Sequence, residues 1–115
     1  MIKILEKETD FEKIIAEDKN VLVDFNATWC GPCRMMGRVM EELEKKYSAV
    51  TFLKVDTDDF PELAQKFFIV SIPSMVAYKD GKPVDLSLNG NKENMQVGAL
   101  QEEDFEVMLN ETFAL

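Results

Sequence analysis

The sequence predicts an α/β fold, a mixed central sheet of about five strands flanked by about four helices. Three observations predict it. Strand-like and helix-like segments alternate through the first two thirds of the chain. The run Val21–Ala27 is apolar on both faces except for Asp24, as in a strand covered by helices on each side. Near Asp80-Gly81 two strand-like segments meet at a hairpin signal, which adds antiparallel strands to a sheet that begins with parallel crossovers.

The elements follow in order. Ile2 to Leu5 is a short first strand. Thr9, with Glu12 three residues on, reads as a capping box opening a helix whose stripe is Phe11, Ile14 and Ile15. Val21 to Ala27 is the central strand. A second helix begins at about Cys33 or just before it, and Met36, Met40, Leu43 and Tyr47 recur on its inner face. Thr51 to Asp56 is the next strand. Asp59 is the expected cap of a third helix, with Pro61 in its first turn and Leu63, Ala64 and Phe67 inward. Ser74 to Lys79 and Val84 to Leu88 are the hairpin strands. Gln101 to Phe113 is the last helix, facing inward with Phe105, Met108 and Leu109.

At 115 residues the chain has the length of one domain spanning residues 1–115. Its formal charge of −9 leaves no basic stripe, which argues against nucleic acid and against an anionic membrane surface. The N-terminal residues meet charges at Lys3 and Glu6 before any apolar run, so the sequence carries no leader signal, and the expected location is cytoplasmic.

The chemistry concentrates in Trp29-Cys30-Gly31-Pro32-Cys33, which holds both cysteines and the single tryptophan. A Cys-x-x-Cys at a strand-to-helix junction suits thiol–disulfide exchange, because a helix N-terminus favours a thiolate. The ring it closes is tiny, so the bond adds little chain-entropy stability and is better suited to cycling than to stapling. Cys30, nearest the helix terminus, is the expected nucleophile. Cys33, deeper in the helix, is the expected resolving thiol. Gly31 lets a substrate backbone approach, and Pro32 fixes φ in the first turn. A zinc or iron–sulfur site needs more ligands than a chain with no His and no third Cys offers, short of a site shared between chains.

Asp24 is an acid in an apolar strand. Burial raises the pKa of such a group, which fits it to take the proton of Cys33 and later return it. Lys54, in the neighbouring strand, is placed to reach Asp24. Trp29 with Gly31, Pro32, Ile72, Pro73, Val97, Gly98 and Ala99 is expected to form a flat apolar patch around the sulfur that docks other proteins. The acids Asp56, Asp58, Asp59, Glu102, Glu103 and Asp104 read as solvated loops and caps, and the seven methionines as core filler.

Val21 to Met36 resembles the active-site segment of the thioredoxin family almost residue for residue. Ser71-Ile72-Pro73-Ser74 resembles the family's proline loop, Lys79-Asp80-Gly81-Lys82 its hairpin turn, and Val97-Gly98-Ala99-Leu100 its last loop. The resemblance covers nearly the whole chain. It implies the thioredoxin fold, a cis Ile72-Pro73 bond beside a redox-active Cys30–Cys33 disulfide, and proton-transfer roles for Asp24 and Lys54. It implies a protein-disulfide reductase and electron carrier of cell redox homeostasis with no bound cofactor. A separate thioredoxin reductase would supply the electrons, drawing on NADPH or ferredoxin, and nothing demands more than a monomer. Arg38, Phe68 and Ser74 depart from the residues common in the family, a proline, a glycine and a threonine.

Two other functions fit the same residues. One is a disulfide oxidase or isomerase on the same fold, against which the Gly31-Pro32 pair argues; a measured reduction potential separates them. The other is a non-catalytic binding subunit using the surface around Trp29, whose activity would survive replacement of both cysteines by serine.

One spacing is unusual for the family: 17 positions separate Gly81 from Gly98. Lys82 to Gln96 is therefore expected to form an enlarged loop or hairpin beside the active-site face. The Asn89-Gly90 turn sits at its tip and Asn91–Gln96 forms a solvent loop. A rival register instead starts the last helix near Asn91.

Overall fold

A computed structural model describes all residues 1–115. Eight strands and four helices occur in the order β1 (Ile2–Ile4), α1 (Thr9–Glu17), β2 (Asn20–Asn26), α2 (Gly31–Leu43), β3 (Thr51–Asp56), α3 (Pro61–Lys66), β4 (Ser74–Lys79), β5 (Lys82–Val84), β6 (Leu86–Leu88), β7 (Asn91–Glu93), β8 (Gln96–Val97) and α4 (Glu102–Phe113). The main sheet has the order β1-β3-β2-β4-β5, and β8 also pairs with β4. β1 and β2 run parallel to β3, while β4 is antiparallel to β2, β5 and β8. The mixed sheet expected from the sequence is present, with one strand more than about five, and none of the helices is long and apolar enough to cross a membrane.

Strand alternation sorts the core into two layers. Val21, Val23 and Phe25 of β2 pack with Phe11 and Ile15 of α1 and Leu63 of α3. Leu22 turns the other way and packs with Met36, Met40 and Leu43 of α2 and Phe105, Met108 and Leu109 of α4. Asp24 shares the parity of Leu22, so it lies on the α2/α4 face. It is 0 % exposed, between Lys54 on β3 and Met75 on β4.

The helix starts differ from expectation. Glu8, itself helical at φ −58°, precedes α1 and no side-chain cap bond forms, so Thr9 and Glu12 make no capping box. Phe60, not Asp59, occupies the cap position of α3; the Asp59 amide instead donates to Asp56 Oδ1, 3.2 Å away. α2, by contrast, begins at Gly31, just before Cys33 as expected, and continues unbroken through Gly37 and Arg38.

The segment after the hairpin glycine also differs. Instead of one strand from Val84 to Leu88, the chain leaves the main sheet at Asp85, and β6 pairs with β7 in a separate two-stranded sheet. Asn89 and Gly90 close that hairpin with φ of 54° and 83°, the two positive values that a tight two-residue turn requires. Asn91–Glu93 is thus an exposed strand rather than a loop. The hairpin does not stand beside the active-site face. The Glu111 carboxylate accepts from Ser87 Oγ at 2.8 Å and from the Asn89 and Gly90 amides at 3.0 Å, which fastens the tip to the far end of α4. At 1.5 Å per residue that anchor is about 14 Å along the helix from its first turn. Only the return strand β8 reaches the site. The rival register is excluded, because Gly98 lies outside any helix at φ 94° and α4 starts at Glu102.

Candidate active site

The site forms where β2 ends and β4 begins. Antiparallel pairing sets Phe25 opposite Ser74, so the segment leading into α2 meets the loop leading into β4. Cys30 and Cys33 are joined by a disulfide with Cα atoms 5.2 Å apart. Cys30 is the N-cap of α2, and its Sγ accepts the Cys33 N–H at 3.1 Å. A thiolate released there inherits that donor and the positive end of the helix dipole. Cys30 Sγ also lies 3.8 Å from the Ile72 carbonyl oxygen. The two cysteines are almost equally shielded, 5 % and 4 % exposed, so burial barely separates them. What separates them is the cap position, which belongs to Cys30.

The Ile72-Pro73 bond is cis. Ile72 packs against Ala27, Cys30 and Cys33, and Pro73 is buried. Val97 pairs with Ser74, and the Gly98 amide donates to the Pro73 carbonyl at 2.8 Å. This stitching brings Val97, Gly98 and Ala99 beside the proline loop. The Leu100 amide in turn donates to the Met36 sulfur at 3.2 Å, tying the last loop to α2.

Trp29 is 68 % exposed and lines a groove of about 180 Å³ with Val70, Ile72 and Ala64. Its indole Nε1 donates to Asp58 Oδ2 at 2.8 Å, which holds an otherwise free ring in place. Arg34 Nη1 donates to the Thr28 carbonyl at 3.0 Å and braces the turn between β2 and α2. Gly31 and Pro32 are exposed, and a Cβ on Gly31 would meet nothing nearer than Arg34 at 3.9 Å.

Beneath α2 lies Asp24. Oδ1 has no hydrogen-bond partner, and Oδ2 receives only a long 3.5 Å contact from Asn26. Burial pushes its pKa up to about 6, against the smaller opposing pull of the Lys54 charge. Lys54 and Asp24 are register neighbours, yet the direct ion pairs of the chain are Lys3–Asp18 and Lys46–Glu106. The Lys54 ammonium instead sits under α2, where a Cβ on Gly37 would lie 3.3 Å from it. Gly37 thus leaves room for a charge between helix and sheet.

The structure therefore brings together Cys30, Cys33, Trp29, Gly31, Pro32, Ile72, Pro73, Val97, Gly98 and Ala99 at one surface, with Asp24 and Lys54 below α2. Sequence reading missed Asp58, Arg34, Val70 and the sulfur contact of Met36. Asp58 sat in an acidic run with no local sign that one member bonds a tryptophan 29 residues away.

Comparison with known proteins agrees with this geometry. Residues 2–110 match the family described as Thioredoxin. Thioredoxin 1 of Plasmodium falciparum is 41 % identical over 91 residues, 79 % of this chain and 88 % of that protein. A bifunctional thioredoxin reductase/thioredoxin of Mycobacterium leprae is 45 % identical over 75 residues, 64 % of this chain and 16 % of that one. The solution structure of oxidised Plasmodium falciparum thioredoxin superposes with a TM-score of 0.79 at 32 % identity, covering 96 % of this chain and 97 % of the other. The chain belongs to the thioredoxin family of dithiol–disulfide oxidoreductases, with Cys30 and Cys33 as its redox-active pair.

Proposed function

We propose that the chain carries electrons from a reductase to disulfides of other cytoplasmic proteins, acting as a monomer. The observation that carries this reading is the position of Cys30 at the N-cap of α2, with its sulfur accepting the Cys33 N–H.

In the reduced form the Cys30 thiolate attacks one sulfur of a substrate disulfide. The substrate bond breaks, a mixed disulfide forms, and the other substrate sulfur leaves with the electron pair. Cys33 then attacks the Cys30 sulfur. This closes the Cys30–Cys33 bond and releases the second substrate thiolate, so two electrons have moved to the substrate. Asp24 acts as proton acceptor for Cys33, since a carboxyl titrating near 6 is ionised at neutral pH yet basic enough to take a proton. Lys54 lowers the cost of that buried negative charge. The extended Ile72 backbone pairs with the substrate strand, and Trp29, Gly31, Pro32, Pro73, Val97, Gly98 and Ala99 form the apolar surface around it.

A thioredoxin reductase, drawing on NADPH or ferredoxin, closes the cycle. The fusion of reductase and thioredoxin in the Mycobacterium leprae relative supports that partnership. The test is insulin reduction with thioredoxin reductase and NADPH. Turnover is expected for the native chain and none for Cys30→Ser; NADPH oxidation that ignores the substitution would overturn the reading.

A further inference from the structure

Phe68 stands on the surface against two physical preferences at once. Its φ is 55°, and its side chain is 85 % exposed. It follows the C-terminus of α3, where the Phe68 amide donates to Gln65 O and the Ile69 amide to Ala64 O. That pattern closes a helix with one left-handed residue, a position glycine fills most easily. A bulky aromatic there gains almost no burial in return for the unfavourable backbone.

The surroundings suggest what it does gain. Phe68 borders a groove of about 270 Å³ walled by Phe67, Tyr78, Pro83, Val84 and Met95. Two residues on, Val70 is 94 % exposed and lines the other groove, the one shared with Trp29 and Ile72. Phe68 and Val70, two residues apart and both exposed, thus stand one at each groove, and Trp29 beside Cys30 lines the second of them. The rim of the hollow beside Phe68 carries one Lys66 and one Asp85, so it offers no net charge and selects for apolar bulk.

We propose that Phe68 and this hollow extend the substrate-docking surface and take a large apolar or aromatic side chain of a protein substrate, at a fixed distance in sequence from its reacting cysteine. The proposal rests on the docking reading above and on the short step from Phe68 to Val70, which sets the two grooves next to each other along the chain. Phe68 makes the chain selective among disulfide proteins, where the site around Trp29 alone would be permissive.

The test uses the full chain as Cys33→Ser, so that mixed disulfides persist. It is equilibrated with a library of short peptides, each carrying one cysteine capped with cysteamine. The Cys30 thiolate attacks the cap's disulfide, the peptide–Cys30 bond forms and cysteamine leaves as the thiolate. Expected is an enrichment of roughly tenfold for aromatic or large aliphatic residues at one offset from the cysteine. With Phe68→Gly added it should collapse to the level of glycine-flanked peptides. The melting temperature should not fall, because glycine suits φ 55°. Enrichment unchanged by Phe68→Gly, or lost only with Trp29→Ala, would overturn the proposal. So would the absence of any preferred offset. Insulin reduction by the native chain, run alongside, shows independently whether the docking reading itself stands.

Discussion

Replacing Asp24 with Asn should make the oxidised protein more stable, by an amount that depends on pH. The carboxyl titrates near 3.8 when unfolded and at about 6 when folded. Between those values the folded state binds more protons than the unfolded one, so native stability falls as pH rises. The shift of roughly two units corresponds to about 3 kcal/mol at pH 7 and about half of that at pH 5. Asn carries no charge at any pH and leaves the buried position hydrogen-bond capable. The cysteines do not titrate while joined. The oxidised protein therefore isolates one carboxyl. Urea unfolding of wild type and Asp24→Asn, from pH 4 to pH 8, gives the difference directly. It should be small at pH 4, rise through pH 5 and 6, and level off above pH 7. A difference that stays flat over the range would refute the burial argument, whatever its size.

Iodoacetamide should label Cys30 before Cys33 in the reduced chain, because Cys30 holds the cap position; peptide mass spectrometry reads the order. Gly37→Ala should gain up to about 1 kcal/mol of helix stability. It should also move the Asp24 titration upward, as the crowded Lys54 ammonium gives way by a few tenths of an ångström; carboxyl-detected NMR measures that shift. Glu111→Ala should free the β6–β7 hairpin, seen as faster hydrogen exchange at Asn89 and Gly90 with the main sheet unchanged. Hydrogen bonds from Gly90, Ser87 and Asn89 hold the Glu111 pKa below its usual value. The anchoring is therefore present at neutral pH and lost as acid protonates the carboxyl, so the wild-type hairpin should loosen in the same way below that pKa.

The parts of this fold that were legible in the sequence are those written in local pattern. The apolar residues Val21, Leu22, Val23 and Phe25 of β2, falling on both faces, announce a strand covered on each side. The spacing of Met36, Met40 and Leu43 announces a helix face, and the cysteine pair marks the junction between them. The start of α1 was illegible because Glu8 is itself helical and so displaces Thr9 from the cap. The break at Asp85 was illegible for a different reason. Val84, Leu86 and Leu88 alternate equally well whether the strand keeps its partner or changes sheets, and partner choice is a long-range property. Strands β7 and β8 carry almost no apolar signal; pairing with β6 holds the first, and pairing with Ser74 and Met75, more than twenty residues away, holds the second. The Asp58–Trp29 bond is likewise a meeting of distant residues that neither neighbourhood advertises.

The two-residue strand β8 has a further consequence through its pairing with Ser74 and the Gly98–Pro73 bond. On the docking reading proposed above, the two loops that would receive a substrate strand are stitched into one plate before any partner arrives. Little conformational entropy remains to be lost on docking, so even a small contact yields usable affinity. The same rigidity lets a partner leave without waiting for the plate to reorganise. On that reading, residence at such a surface would be timed by the covalent sulfur bond rather than by the footprint.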